Sequence, residues 1–212
     1  MIREINSLGS IGVSLSRHEY YDEYISRKYK EIETVKPKLL IIGYGRHGKD
    51  TVCEILEQDF SFTYDSSSSF CNKLFIYNQL KDKYNYKNEQ ECFNDRHNHR
   101  KEWYDAICEY NHYDAAKLGR EILNQYDIYC GLRNKREFFA MKNTGVFDYA
   151  IWVDRSEHLP KEDPSSMSLE QWMADYTIDN NRSIEELRFN THNLINYIFS
   201  LRQTTSKLKN TF

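Results

Sequence analysis

Between residues 39 and 56 the chain reads LLIIGYGRHGKDTVCEIL, an apolar run that passes through a glycine-rich turn into a segment of helical spacing. Gly43, Gly48 and Lys49 fit G-x-x-x-x-G-K, and the strand before and helix after supply the context that such a loop needs. Glycines let successive peptide N–H groups turn inward, the start of the helix adds a favourable dipole, and the lysine reaches the outermost charge in the cup. Phosphate oxygens suit that chemistry. Asp50 stands where the usual pattern has a hydroxyl that supports magnesium, and the hydroxyl follows one residue later, at Thr51.

A second concentration of chemistry lies in ECFNDRHNHRKEWYDAI, residues 91–107. Arg96 and Arg100, four apart, share one face of an expected helix, with Trp103 nearby. Two guanidinium forks and an aromatic ring suit a phosphate attached to a flat base; a solvated face with pairs such as Asp95 and His99 is the plainer reading. Arg120, in AAKLGREIL, either reaches the same anion or pairs on the surface. Arg133 and Arg136 follow an apolar strand, where open α/β sheets bind ligands beyond the strands' carboxyl ends. Arg155 opens a long segment, 155–175, that holds two of the three prolines.

The elements that must position these residues alternate. Expected strands are KLLIIG (38–43), FSFTY (60–64), DIYCG (127–131), YAIWVD (149–154) and YTIDN (176–180); expected helices run over 49–58, 70–84, 88–109, 113–126, 134–143 and 183–202. The serine run 66–69 sits where helix N-caps belong, and Ser183 with Glu186 forms a capping box. Alternation of this kind argues for a mostly parallel sheet with right-handed crossovers. Residues 1–36, polar and helical in spacing, read as an appendage that mediates dimerisation, covers a sheet edge or contacts another protein.

Composition narrows the class. With a formal charge of -3, no global positive field draws the chain to nucleic acid or an anionic membrane. Five cysteines without C-x-x-C spacing fit reduced thiols in the cytoplasm rather than a disulfide frame or zinc site. No apolar run approaches the roughly 18 residues of a membrane helix, and no signal-peptide core opens the chain. A soluble cytoplasmic protein with local anion sites is the expectation.

GYGRHGKDT resembles the phosphate loop of nucleoside and nucleotide monophosphate kinases, and G-K-D-T in particular resembles the deoxynucleoside monophosphate kinases of bacteriophages. The resemblance implies a three-layer α/β phosphate-loop kinase fold, with a five-stranded parallel sheet of order 2-3-1-4-5 and helices on both faces, over residues 37–212. It implies ATP and Mg2+ as cofactors and a deoxynucleoside monophosphate as acceptor. Lys49 would stabilise the transferring group with Arg133 and a lid arginine, Arg155. Gly43, Gly45, Arg46, His47, Gly48, Asp50 and Thr51 would line the donor site, and the turn in YTIDNNRSIEEL would bring Asn180 to the adenine pocket. Asp65, Ser66, Ser67 and Ser68, in YDSSSSF, would hold the acceptor with Arg96, Arg100, Trp103, Arg120 and Arg136, within acceptor-binding helices at about 66–126 under a lid at about 155–175. Related enzymes often carry an acid at the end of the third strand, where this chain has Cys130 and Gly131; Asp50 or Asp65 could support the metal through a water instead, beside Thr51. Three other readings stay open: a kinase acting on a hydroxymethyl pyrimidine in phage DNA, a small-metabolite kinase, and a nucleotide-binding module without catalysis.

Overall fold

The computed structural model describes residues 36–164 and 166–209. The expected appendage, apart from Lys36, lies outside the described residues. The rest forms one five-stranded parallel sheet flanked by helices.

Strand β1 is Leu39–Ile42, and all four of its residues are buried, as a strand covered on both faces requires. Helix α1 (Lys49–Phe60) follows, then β2 (Tyr64–Ser66) and α2 (Ser67–Cys71). A π-helical turn, Asn72–Ile76, joins α2 to α3 (Tyr77–Tyr84). Helices α4 (Glu89–Asp95), α5 (Arg100–Tyr110) and α6 (Lys117–Gln125) lead into β3 (Ile128–Cys130). Helix α7 (Lys135–Asn143), β4 (Tyr149–Asp154), β5 (Tyr176–Asp179) and α8 (Ile184–Lys209) complete the chain. The strand order is β2-β3-β1-β4-β5, as expected, and every pairing is parallel, with Leu39 opposite both Ile128 and Tyr149.

Alternation along the strands divides the core into two. Leu40, Ile42, Tyr129 and Trp152 face one layer, with Phe70, Trp103, Leu118, Ile122 and Phe138 from α2, α5, α6 and α7. Leu39, Ile41, Ile128, Ile151 and Val153 face the other, with Val52, Ile55, Leu56, Leu187, Ile195 and Ile198 from α1 and α8. Each fully buried aliphatic side chain contributes roughly 1.5–3 kcal/mol of transfer free energy, so a charge placed at Ile41 would remove one such contribution and leave an unpaired ion between strand and helix.

Several expected boundaries move, three of them with a clear local cause. The second strand begins at Tyr64, because α1 runs on to Phe60 and ends on Ser61 in the left-handed region (φ 57°), with the Ser61 and Phe62 N–H groups returning to Glu57 and Leu56. That is a Schellman-type cap built without glycine. The helix expected over 88–109 breaks at Arg96–His99: Asp95 accepts from the Tyr86 hydroxyl at 2.6 Å and from Asn98 at 2.6 Å, and its Oδ2 lies 3.0 Å from His99 Nε2. Short polar side chains that bond locally compete with the helix in this way. The helix expected from 113 begins at Lys117, after Asp114 has accepted the N–H groups of Ala116 and Lys117 in a turn.

Candidate functional site

All five strands end at the same edge of the sheet, which brings the turns after β1, β2, β3 and β4 and the turn between β5 and α8 into one neighbourhood. The phosphate loop, Gly43–Gly48, is shaped by two close approaches. A Cβ on Gly43 (φ 145°) would lie 2.6 Å from the Val153 carbonyl oxygen, and one on Gly48 (φ 93°) 2.3 Å from Asn180 Nδ2. Gly48 is also the N-cap of α1 and offers no side-chain acceptor, so the first N–H groups of the helix are left for a ligand. Arg46 is exposed at the loop's tip with φ 65°. His47 is fully buried: its Nδ1 accepts the Arg155 N–H at 2.9 Å, and its carbonyl accepts Asn180 Nδ2 at 2.9 Å. Burial pushes the His47 imidazole below its usual pKa, with Lys49 adding to the effect. His47 is therefore a neutral brace beneath the loop. Asn180 is another, its amide donating to the loop backbone.

Lys49, buried to 8% exposure, donates to the Tyr44 carbonyl at 2.7 Å. Burial lowers its pKa, and Arg133 acts in the same direction. Arg133 in turn holds both oxygens of Glu162, at 3.0 and 2.9 Å, and Glu162 Oε2 accepts the Gly45 N–H at 2.7 Å. Burial by itself would raise the Glu162 carboxyl, but Arg133, the Gly45 amide and Lys49 together hold it below the usual carboxylate range. A carboxylate of the chain thus occupies the anion position over the loop. The Nε of Arg155 is buried without a hydrogen-bond partner. The second half of the expected lid belongs to the core: Met167, Leu169 and Met173 are buried, and Ser168 bonds the Arg133 carbonyl.

For a metal, Thr51 is half-buried and Asp50 exposed on the first turn of α1, where Asp50 accepts a thiol contact from Cys130 at 3.4 Å. Among the described residues no cluster of three acids, histidines or cysteines could cage an ion. That donor set fits Mg2+, which is held mainly by phosphate oxygens and water with one or two protein oxygens. Asp65, expected to support the metal or bind the acceptor, has its Oδ2 paired with Lys73 at 3.0 Å and its Oδ1 accepting the Ser66 N–H.

On the acceptor side the expected residues separate. Ser66 caps α2 by accepting the Ser69 N–H at 3.1 Å, and Ser68 lies 3.2 Å from the Ser66 hydroxyl. Arg96 bonds the Phe93 carbonyl at 2.8 Å, stacks on that ring, and has Asp50 and Arg100 as charge neighbours. Arg100 is exposed at the first residue of α5. The two arginines are separated by the break after α4 rather than sharing one helix face. Trp103 is corrected from a base platform to a core residue, 4% exposed and edge-on to Phe93. Arg120 pairs with Asp114 at the surface.

Ser67, Arg133 and Arg136 line a cavity of about 110 Å³ whose wall also includes Tyr104, Asn111 and Glu137. Sequence reasoning missed Glu137, because Asn134 and Glu137 have the spacing of a capping box and read as a solvated helix start. Asn134 does cap α7, accepting the Arg136 and Glu137 N–H groups, but the Glu137 side chain turns inward to the Tyr129 hydroxyl at 3.1 Å. Glu162 carried no signal beyond its place in a long acidic segment.

No protein-family model matches the chain, and no curated protein matches it. A solved shikimate kinase from Bacteroides thetaiotaomicron superposes over 77% of this chain and 99% of its own at 8% identity, with a TM-score of 0.43. A gluconokinase from Sinorhizobium meliloti 1021 does so over 78% and 97% at 10% identity, with a TM-score of 0.38. None of the helices among the described residues is long and apolar enough to cross a membrane.

Proposed function

We propose that the protein transfers a phosphoryl group from Mg-ATP to a deoxynucleoside monophosphate. The observation that carries this reading is the Glu162 carboxylate seated on the Gly45 N–H and clamped by Arg133. A loop that holds an anion of its own chain, at the start of a helix with free N–H groups and beside a buried lysine, has the donors that a triphosphate requires. When bound, Mg-ATP supplies the phosphoryl group and neutralises part of its charge. Thr51 and Asp50 are the residues that would hold the metal.

The chain's own work is positioning and charge stabilisation, which is most of what phosphoryl transfer asks of a protein. Lys49 sits at the mouth of the loop on a fixed backbone acceptor, so its ammonium loses little freedom when phosphate displaces Glu162. Arg133 links the loop to the cavity beyond β3 and stabilises charge between donor and acceptor. Arg155, its Nε unpaired, supplies a further donor from the segment after β4. Arg96, beside Asp50, lies on the same side as the loop and steadies the acceptor's phosphate.

Calorimetric titration with Mg-ATP, followed by coupled-assay turnover with the five common deoxynucleoside monophosphates, tests the reading. Saturable binding and turnover with at least one acceptor are expected. A folded protein that leaves Mg-ATP unbound would overturn it. Cys130 and Gly131, in place of an acid, favour one second reading, a nucleotide-binding module without transfer; binding without turnover on any acceptor would select it.

A further inference from the structure

The cavity beyond β3 shares Arg133 with the phosphate loop and is lined on its far side by Tyr129, Glu137, Asn111 and Ile107. Its volume of about 110 Å³ is well below the roughly 300 Å³ at which pockets for drug-sized ligands begin, so it takes one small ring. The polar groups in the wall are fixed. The Tyr129 hydroxyl donates to Glu137 Oε1, and Asn111 Oδ1 accepts the Leu118 N–H at 3.1 Å, which leaves the Asn111 amide N–H groups as donors. Glu137 is 5% exposed, and among the described residues no ion pair includes it. We infer that Glu137 is the specificity-determining residue of the acceptor site and that it reads the paired donor and acceptor on the base-pairing edge of a single-ring base, a pyrimidine rather than a purine.

Two chemical facts select that class. Burial pushes the Glu137 carboxyl up to about 8, with the Tyr129 hydrogen bond acting the other way, so at neutral pH it is a carboxylic acid that presents one acceptor and one donor side by side. A ring N–H beside a carbonyl, as in thymine, and a ring nitrogen beside an amino group, as in cytosine, both complement that pair, and Asn111 offers a second donor to a carbonyl. Adenine and guanine bring a second ring into a cavity sized for one. Arg133, which lines the cavity and also reaches Glu162 over the loop, is a cation available to the 5′-phosphate of a base held there.

The inference rests on the nucleotide-kinase reading, and its test separates the two. Thymidine, deoxyuridine, deoxycytidine, deoxyadenosine and deoxyguanosine monophosphates are titrated by calorimetry against the wild type, Glu137→Gln and Glu137→Ala, and Mg-ATP affinity is measured independently. Tightest binding of the three pyrimidine compounds is expected. Glu137→Ala should weaken these three by about 10- to 100-fold, the scale of one buried hydrogen-bonded pair, with the loss in acceptor KM rather than in kcat or in Mg-ATP affinity. Glu137→Gln, which keeps one acceptor and one donor, should recover most of the affinity. If the alanine variant fails to fold, Glu137→Met keeps the volume and serves in its place. A wild type that prefers a purine monophosphate, or an alanine variant that weakens all five acceptors alike, overturns the inference while leaving Mg-ATP binding intact. Loss of the kinase reading shows instead as a folded wild type that does not bind Mg-ATP.

Discussion

The phosphate loop and the acceptor side are built by different means. The loop is held by backbone and buried groups: the His47 imidazole under it, the Asn180 amide against it, and two glycines whose missing Cβ atoms admit Val153 and Asn180. The acceptor side, from α2 to α6, packs Phe70, Trp103, Leu118 and Ile122 into the core on its inner face and carries polar contacts on its outer one, such as His99 with Asp95 and Arg120 with Asp114. Exposed pairs of this kind contribute about 0–1 kcal/mol each. The loop is therefore fixed by buried polar contacts and close backbone approaches, whereas the helices from α2 to α6 are fixed by apolar packing beneath an outer face whose ion pairs are individually weak.

The contrast can be broken first at Lys49. Lys49→Ala should lower kcat by about 10²- to 10³-fold, the cost of removing one preorganised electrostatic donor, with little change in the melting temperature; steady-state kinetics and thermal denaturation check both halves. Gly48→Ala comes next. A Cβ there meets Asn180 in a conformation that L residues rarely adopt, so a loss of about 1–3 kcal/mol in unfolding free energy is expected, together with loss of Mg-ATP binding.

Glu137 gives a graded test. The folded protein holds that proton up to about pH 8, whereas the unfolded chain releases it in the ordinary glutamate range. Stability from this group is thus fully present at low pH and is lost as pH rises toward 8. Glu137→Gln does not titrate, so its stability relative to the wild type should grow by at most about 1.4 kcal/mol per pH unit between roughly pH 5 and 8, read from urea unfolding at each pH. Glu162→Gln should tighten Mg-ATP by about 3- to 10-fold, since a neutral amide on the Gly45 N–H competes less well than a charged acceptor. The smallest effect belongs to Arg120→Ala, which removes a surface pair and should leave acceptor KM within about twofold.

Much of this was legible in the residues. Four consecutive apolar positions before a glycine turn specify a strand covered on both faces, and the G-x-x-x-x-G-K spacing specifies the path of the turn, because backbone geometry needs glycine at fixed places. The acceptor side was not legible to the same degree. Asp95, Asn98 and His99 suit a helix interior poorly, yet helical spacing across 88–109 hid the break that their side chains produce. Trp103 and Arg96 fall in one stretch of sequence but in different environments, core and surface, which composition cannot separate. Ser61 ended a helix where glycine is usual, and so displaced the second strand. Glu137 was hidden most completely, since its spacing from Asn134 marks a solvated cap and only the packing of Tyr129 against α7 turns it inward.

The N–H of Arg155 on the ring of His47 has a mechanical consequence. The segment that leaves β4 is tied to the loop twice, at its root by this bond and farther along by Glu162 on the Gly45 N–H, so an anion that displaced Glu162 would release the outer tie and leave the inner one fastened.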